Sequence, residues 1–304
     1  MEHASIIYHC SPFDDALPTF GNTVLVMGVF DGVHLGHRAL FAQARQESWA
    51  LGLPLLAITF ERDPDELFLP FGSTFGKLLS NQKRLEMIAE QARGGVISLS
   101  TTQELFAMSP AGFLRFLETI THPKAIFTGS NFRFGAKARG TADDLAAWAK
   151  ERGSTYIPFS LIEDGGAIVS ATRIRNELRL GNTKTVRRLL GGRPHSITAR
   201  VEQVHKAGRG LLAAELDLSG NEVMLPLEGD YAVSMLVDEV RLAGIANVDD
   251  SPSFTETSAP TSIYFLDFER VTDNTEITIE FGRRICESRA FDSRQELLKA
   301  LAEK

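Results

Sequence analysis

The sequence predicts an α/β domain built on a parallel sheet, followed by a small antiparallel β-barrel. Two patterns predict this order. As far as residue 190, short apolar runs alternate with segments whose apolar residues recur at helical spacing, which is typical of a doubly wound sheet. From residue 197 onward, closely spaced strand-like runs replace the helices and favour a barrel. The breaker cluster at residues 191–194 separates the patterns, so we assign residues 1–190 to the first domain and 191–304 to the second.

The first domain opens with a strand, a loop and a helix. Residues 23–28 form a short apolar run, a glycine-rich turn follows, and residues 38–51 have helical spacing. A second apolar run at residues 54–60 completes a right-handed βαβ unit. Further helices are predicted at residues 81–91, 109–119, 172–180 and 184–190, and further strands at 95–99 and 125–128. Ser109 and Pro110 are expected to be the N-cap and the first residue of their helix.

Strand-like runs separated by short turns follow the breaker cluster. They are residues 198–204, 211–218, 223–227, 231–237, 241–247, 262–268 and 276–281. Such closely spaced strands predict a small antiparallel barrel. An amphipathic segment at residues 293–302 predicts a last helix that covers one opening of this barrel.

Composition and charge limit the classes of protein to which the chain can belong. With 43% hydrophobic and 23% charged residues, its 304 residues have the composition of a folded globular protein. A net charge of −7 argues against nucleic acid as a partner, and no apolar run is long enough to suggest a membrane. Cys10 and Cys286 are the only cysteines, which excludes a disulfide framework and a cysteine zinc site. With an N-terminus unlike a signal peptide, these features predict a cytoplasmic protein.

The segment from Gly28 to His37 carries the strongest functional signal. Small residues let a phosphate approach the backbone, and the free N–H groups at the start of the following helix attract it. His34 and His37 add two donors that can follow charge in a transition state. We therefore predict a triphosphate site. Two other interpretations are helix-start histidines without a catalytic task and a metal site, although a third metal ligand is missing nearby.

A second phosphate-binding segment is predicted at residues 170–175. Ser170 and Thr172 can cap a helix start, while Arg173 or Arg175 can reach an anionic group. The alternative is an ordinary N-cap flanked by surface arginines, which the segment by itself favours. The first motif reverses that preference.

Four segments of the chain resemble motifs of a known enzyme family. Residues 34–37, His-Leu-Gly-His, resemble the HxGH signature of adenylyl and cytidylyl transferases, and residues 28–37 are similar to the form found in bacterial FAD synthetases. Residues 59–64, 129–135 and 170–175 match this family in order and spacing. The resemblance covers essentially the whole chain, because bifunctional members end in a riboflavin kinase barrel. It implies a Rossmann-like nucleotidyltransferase domain before a barrel of riboflavin kinase type with a C-terminal helix.

The resemblance implies a reaction and a set of site residues. The phosphate of FMN would attack the α-phosphorus of ATP to give FAD and pyrophosphate, with Mg²⁺ as charge partner. The implied catalytic residues are His34, His37 and Arg175. The implied nucleotide-binding residues are Gly28, Phe30, Asp31, Gly32, Gly36, Ser170 and Thr172. The implied flavin-binding residues are Phe60, Asp63, Pro64, Asn131, Phe132 and Arg133, although Phe132 could equally be part of the core. No side chain is assigned as a metal ligand.

The chain departs from the family pattern at two places. Family members usually have histidine where this chain has Asp63, and a carboxylate there would repel a phosphate unless a metal or arginine intervenes. In the barrel, a Pro-Thr-x-Asn signature should follow the glycine turn at residues 208–210, but residues 211–215 read Leu-Leu-Ala-Ala-Glu. Ser262 aligns with the family's catalytic glutamate. We therefore predict that the barrel fold persists without kinase activity.

Three functions stay open at this point. The first is an FMN adenylyltransferase with an inactive kinase-like barrel, acting on small-molecule substrates. The second is a nucleotidyltransferase for another phosphate ester, which Asp63 favours. The third is a flavin- or nucleotide-binding regulator without catalysis, against which the pair His34 and His37 argues. The sequence indicates no oligomeric state.

Overall fold

A computed structural model describes residues 6–68, 76–208, 211–237, 240–248, 262–265 and 271–286. The chain divides into two compact units, residues 1–75 with 81–170 and residues 76–80 with 171–304. Most of the second unit lies from Ala171 onward, and the five residues Gly76–Ser80 come from the first half of the sequence. The domain boundary between residues 190 and 191 stays a prediction. Within the described ranges, no helix combines the length and the apolar character needed to cross a membrane.

The first unit is built on a six-stranded parallel sheet, which confirms the predicted α/β fold. Its strands are β1 (Ile7–Cys10), β2 (Asn22–Met27), β3 (Leu55–Phe60), β4 (Val96–Leu99), β5 (His122–Gly129) and β6 (Thr155–Phe159). They lie in the order β1-β4-β3-β2-β5-β6, which places β2 between β3 and β5. Val24 of β2 lies opposite Leu55 of β3 and Ala125 of β5. These central strands are apolar and almost fully buried, as expected for a parallel sheet covered on both faces.

Helices join the strands of this sheet. They are α1 (Leu35–Leu51), α2 (Pro64–Leu67), α3 (Asn81–Ala92), α4 (Gln103–Ala107), α5 (Pro110–Ile120) and α6 (Ala142–Glu151), and a short hairpin of β7 (Glu163–Asp164) and β8 (Ala167–Ile168) follows β6. The predicted cap of α5 is confirmed, because the Ser109 hydroxyl accepts a hydrogen bond from the Gly112 N–H at 3.1 Å and Pro110 is the first helical residue. Phe113, Phe116 and Leu117 of this helix are buried in the core of the unit.

The second unit contains two helices and a closed barrel of antiparallel strands, which confirms the second half of the fold prediction. The helices are α7 (Ala171–Arg179) and α8 (Thr183–Leu189). The strands are β9 (His195–Gly208), β10 (Leu211–Asp217), β11 (Gly229–Val237), β12 (Val240–Val248), β13 (Ser262–Phe265) and β14 (Glu276–Cys286). Around the barrel they follow the order β10-β13-β12-β11-β14-β9, and β9 pairs with β10 to close it. Alternate residues such as Tyr231, Val233 and Met235 fill its interior.

One predicted strand of the second unit is wrong. Residues 223–227 form no strand, since the Asn221 side chain donates to the Val223 carbonyl at 2.7 Å and accepts from its N–H at 3.2 Å. Val223 instead makes an isolated bridge with Lys77 of the five-residue segment Gly76–Ser80. The ammonium of Lys77 also pairs with the Glu222 carboxylate at 3.0 Å. The predicted strand end at residues 266–268 and the predicted helix at residues 293–302 lie outside the described residues.

Candidate active site

The carboxyl ends of three neighbouring strands define the candidate site of the first unit. Residues 28–37 follow β2, whereas residues 60–64 and 129–135 begin at the last residues of β3 and β5. Because these strands are adjacent and parallel, the three segments lie along one edge of the sheet. After β4 the chain crosses to the other side of β2, and parallel sheets bind ligands at such a switch point. The structure thus brings the predicted nucleotide segment and both predicted flavin segments to the same edge.

The loop after β2, Gly28–His34, has an unusual backbone. Phe30 has a φ of 61°, Gly32 a φ of 73° and Val33 a φ of 41°, so two residues with side chains adopt the left-handed region. Each such residue costs on the order of 1–3 kcal/mol, which the surrounding packing must offset. The Phe30 ring is 2% exposed and lies 4.9 Å from the ring of Phe41, measured between centroids. The aromatic ring therefore fixes a turn whose backbone would otherwise relax.

His34 and His37 are held against each other at the start of α1. His34 is the N-cap, and its Nδ1 accepts a hydrogen bond from the His37 N–H at 3.4 Å. The two imidazoles stack with centroids 3.6 Å apart and planes 18° apart, and the Phe30 ring meets His37 edge-on. Since Nδ1 of His34 is the acceptor, Nε2 carries the proton of its neutral ring.

Burial keeps both histidines neutral. It lowers the pKa of His34 to about 4, although a backbone hydrogen bond acts in the opposite direction. The pKa of His37 is held well below 6.5, first by burial and then by the charge of His34. Nδ1 of His37 is also buried and has no hydrogen-bond partner among the described residues. At neutral pH each ring is therefore an N–H donor without a full charge.

Asp63 caps a helix in the structure, whereas the sequence suggested a carboxylate beside an incoming phosphate. It is 7% exposed and is the N-cap of α2, where its carboxylate accepts from the Asp65 N–H at 3.0 Å. Glu66 completes a capping box by accepting from the Asp63 N–H at 3.1 Å, and Pro64 is the first helical residue. The carboxylate thus stabilises the start of α2, and its part in flavin binding stays a prediction.

Aromatic side chains gather beside the segment after β3. The ring of Phe60 lies 5.6 Å from that of Phe106, which in turn lies 5.4 Å from that of Phe68. Phe68 is 65% exposed, so much of its ring is accessible from solvent. Sequence patterns did not single out Phe68 and Phe106, because only the fold brings α2 and α4 next to the end of β3.

The segment that begins at the end of β5 contains both exposed and buried residues. Asn131 and Arg133 are exposed, whereas Phe134 is 6% exposed and packs 5.6 Å from Phe113. Phe132 is partly buried, stacks 6.0 Å from Phe134 and packs on the same core. The core interpretation of Phe132 therefore has direct support, while the flavin roles of Asn131 and Arg133 stay predictions.

The residues of the second predicted phosphate segment fall in both units. Ser170 ends the first unit, and the carbonyl oxygen of the preceding Val169 is 3.7 Å from where a Cβ on Gly36 would lie. Thr172 and Arg175 lie on α7 of the second unit. The Arg175 Nε donates to the Gly76 carbonyl at 2.7 Å within that unit. Their contacts with a nucleotide stay predictions.

Arg84 was not identified by sequence patterns, although it lies at the centre of this edge of the sheet. It projects from α3, is 2% exposed, and donates to the carbonyl of Val29 at 2.9 Å and to that of Phe60 at 2.7 Å. Thr59 donates to the same Val29 carbonyl at 3.2 Å. Among the described residues, no group of three or more histidine, cysteine or carboxylate side chains could hold a metal ion.

Family models agree with this arrangement. Residues 18–173, just over half of the chain, match the model of FAD synthetase. The chain belongs to the FAD synthetase family. Residues 191–304 match the riboflavin kinase model, so this family member also carries the second domain of bifunctional enzymes. It is therefore a nucleotidyltransferase, and the predicted family is confirmed.

Relatives match along almost the whole chain. A bifunctional riboflavin kinase/FMN adenylyltransferase of Pseudomonas fluorescens is 29% identical over 93% of this chain and 91% of its own length. The protein of the same description from Escherichia coli K12 is 28% identical over 92% and 89% of the two chains. A crystal structure described as a macrolide-efflux protein from Streptococcus pneumoniae has a TM-score of 0.80 at 24% identity, covering 98% of this chain and 96% of that one. That last likeness concerns the fold alone.

Replacing Gly28 by alanine tests whether the turn before the histidines matters. A Cβ there would lie 2.8 Å from Cε1 of Phe30, so the ring or the backbone must move. We expect a loss of about 1–3 kcal/mol in the free energy of unfolding and weaker ATP binding. Urea unfolding and calorimetric titration with Mg·ATP measure the two effects. Gly21→Ala is the control, because no atom lies within 4 Å of its Cβ, and it should change stability by less than about 0.5 kcal/mol. Wild-type stability and affinity in Gly28→Ala would contradict the expectation.

Proposed function

We propose that the protein is an FMN adenylyltransferase, which transfers the AMP part of ATP to the phosphate of FMN and releases pyrophosphate. The observation that carries this proposal is the pair of stacked, neutral imidazoles at the start of α1. Their N–H groups and the free N–H groups of the first helical turn can serve the same anion. The two donors lie three residues apart on a fixed turn. Such a pair is better suited to binding a chain of phosphates than to binding a single carboxylate.

In the proposed reaction, an oxygen of the FMN phosphate attacks the α-phosphorus of ATP. The bond between that phosphorus and the oxygen bridging to the β-phosphate breaks, and pyrophosphate leaves with the electron pair. A phosphate monoester is largely ionised at neutral pH, so the attack needs no general base. The protein therefore has to position the two phosphates and stabilise the charge that develops on the leaving group.

We assign the stabilisation of the charge on the leaving pyrophosphate to the two histidines. Nε2 of His34 carries a proton and donates to a phosphate oxygen, since Nδ1 accepts from the His37 N–H. His37 donates from the neighbouring stacked ring. Gly28, Phe30, Asp31, Gly32 and Gly36 would shape the turn so that the triphosphate reaches the backbone N–H groups. We assign further triphosphate contacts to Ser170, Thr172 and Arg175, as the family resemblance implies.

We propose that the flavin binds at the carboxyl ends of β3 and β5. The rings of Phe60, Phe106 and Phe68 form an aromatic group with an exposed outer member, which offers stacking surface to an isoalloxazine ring. Asn131 and Arg133 are exposed polar partners for the flavin and its phosphate. Asp63 and Pro64 would contribute by shaping the start of α2 rather than by direct contact.

We propose that Mg²⁺ binds to the triphosphate of ATP rather than to a separate site on the protein. The triphosphate of ATP chelates Mg²⁺ itself, and Mg²⁺ bound to a nucleotide commonly takes only one or two protein carboxylates. The ion would then arrive as Mg·ATP and neutralise phosphate charge during transfer. A cytoplasmic location stays a prediction of the sequence.

The barrel is proposed to lack riboflavin kinase activity. Where the kinase signature should supply hydroxyl and amide ligands, β10 has Ala213 and Ala214, both buried and unable to bind a metal or a phosphate. Ser262, in the place of the catalytic glutamate, lies opposite Glu215 of β10 and Asn247 of β12 in the strand register. The serine hydroxyl is too weak a base to take that glutamate's part.

Incubation of the purified protein with Mg·ATP and FMN, followed by chromatography, tests the proposed reaction. We expect FAD and pyrophosphate to form in equal amounts, and none to form without ATP. Replacing ATP by CTP, and FMN by other phosphate esters, tests the second candidate, which rests on the aspartate at position 63. Tight FMN or ATP binding without any product would instead support a regulator and contradict the proposal.

A further inference from the structure

The guanidinium of Arg84 joins two loops that belong to different substrates in the proposed reaction. One terminal nitrogen donates to the Val29 carbonyl at 2.9 Å and to the Thr59 hydroxyl at 3.0 Å. The other donates to the carbonyls of Phe60 at 2.7 Å and Glu61 at 3.0 Å. Val29 lies in the loop of the histidines, and Phe60 and Glu61 open the segment assigned to the flavin. One planar group therefore fixes the distance between both loops.

The charge of Arg84 is buried but balanced. Burial lowers its pKa, whereas the carboxylates of Asp63, Asp31 and Glu66 act in the opposite direction. These carboxylates come from both loops and from α2, so the cation lies between acidic groups of both substrate sides. An arginine in such surroundings stays charged. The positive charge of Arg84 also offsets part of the repulsion that Asp63 would exert on a phosphate.

We propose that Arg84 is a positioning residue that sets the distance between the nucleotide loop, Gly28–His34, and the flavin-side segment, residues 60–63. The proposal rests on the function proposed above. In-line transfer requires the attacking oxygen and the α-phosphorus to approach within about 3–3.5 Å, so a small change in loop spacing is costly. Arg84 touches carbonyl oxygens and a hydroxyl rather than the reacting atoms, and it acts through the loops.

Two substitutions separate the hydrogen-bonding fork from the charge. Arg84→Lys keeps a cation but cannot span four acceptors in one plane, and Arg84→Met removes the charge while retaining similar bulk. The matched control is Arg45→Met, because Arg45 also binds a carbonyl, that of Gln91 at 3.2 Å, but joins α1 to α3 away from the loops. Thermal melting and the stoichiometry of calorimetric ATP binding give the folded, ligand-competent fraction of each variant.

Steady-state kinetics of FAD formation, corrected for that fraction, give the first readout. We expect kcat to fall about 100-fold in Arg84→Met and about 10-fold in Arg84→Lys, with KM for ATP and FMN changed by less than about threefold. Arg45→Met should keep the wild-type kcat. A kcat loss that disappears after the correction, or an equal loss in Arg45→Met, would show that Arg84 only supports folding and would overturn the proposal.

Hydrogen exchange gives a second readout that needs no turnover. In Arg84→Met we expect amide exchange to rise about tenfold or more in peptides covering both residues 28–34 and residues 60–63, with α5 unchanged. A change in only one loop, or in neither, contradicts the proposal. If the wild-type protein makes no FAD, the proposed function fails, while the exchange data still decide whether Arg84 couples the two loops.

Discussion

Replacing His37 by alanine should lower kcat for FAD formation by about 100- to 1,000-fold, the usual effect of removing one donor that acts on a developing charge. The ring of His37 is stacked on His34 and meets Phe30 edge-on, so its loss also removes the stacking partner of the second imidazole. We expect the larger effect on kcat and the smaller one on KM for ATP, because the donor serves the transition state more than the bound nucleotide. Steady-state assays at saturating FMN measure both constants.

His122 provides the matched control for this substitution. It is exposed and begins β5 opposite Asn22, at the amino end of the sheet and therefore away from the candidate site. His122→Ala should keep the wild-type kcat. His37→Asn, which restores an N–H donor on a shorter side chain, should recover part of the activity. Full activity in His37→Ala would show that the stacked pair has no catalytic task, the alternative that its sequence spacing left open.

Riboflavin with Mg·ATP should give no detectable FMN, an all-or-none difference from bifunctional members of the family. The reason is the absence of hydroxyl and amide side chains on the first residues of β10 and of a carboxylate at position 262. Chromatography of reactions that start from riboflavin, and in parallel from FMN, measures both activities of the same preparation. FAD should appear only in the reaction that starts from FMN.

The bifunctional riboflavin kinase/FMN adenylyltransferase of Escherichia coli is a suitable positive control. FMN production by the present protein at a comparable rate would contradict the proposed loss. Glu215 would then be the first residue to replace, since it lies opposite Ser262 across the strand pair and is the nearest carboxylate in that row. Glu215→Gln would test whether it has taken over the role of the base.

Local signals in the sequence predicted the elements around the candidate site well. The apolar run before Gly28 became β2, and the helix after the loop begins at Leu35, three residues before its predicted start. His34 explains the difference, since a histidine N-cap is not among the residue types that normally announce a helix. In contrast, Ser109 and Pro110 gave the start of α5 correctly because they are typical of that position.

Some local signals went unused. Thr141 and Asp144 form a capping box that starts α6, and Asp63, Pro64 and Glu66 do the same for α2. The family resemblance directed attention to Asp63 as a flavin-side residue, although its spacing to Glu66 indicated a helix start. The strand predicted at residues 223–227 was wrong, because an apolar run suggested a strand but the Asn221 side chain binds both backbone groups of Val223.

Arg84 could not have been found from local patterns at all. It lies in an amphipathic helix, where an arginine normally faces water, and its partner Val29 is 55 residues away in the sequence. Phe68 and Phe106 are similar cases, because their meeting depends on how α2 and α4 fold beside β3. Contacts of this kind follow from the sheet order rather than from spacing.

The short segment Gly76–Ser80 has a consequence for any attempt to dissect the protein. Residues of the first unit flank it on both sides in the sequence, yet its Lys77 forms a bridge with Val223. Leu78 and Leu79 of the segment are almost fully buried. A fragment cut at residue 170 would separate Lys77 of this segment from Val223 and Glu222. A fragment starting at residue 171 would lack the segment. The two halves of the chain are therefore not modules that a single cut can exchange between relatives, and chimaeras need to transplant residues 76–80 together with the barrel.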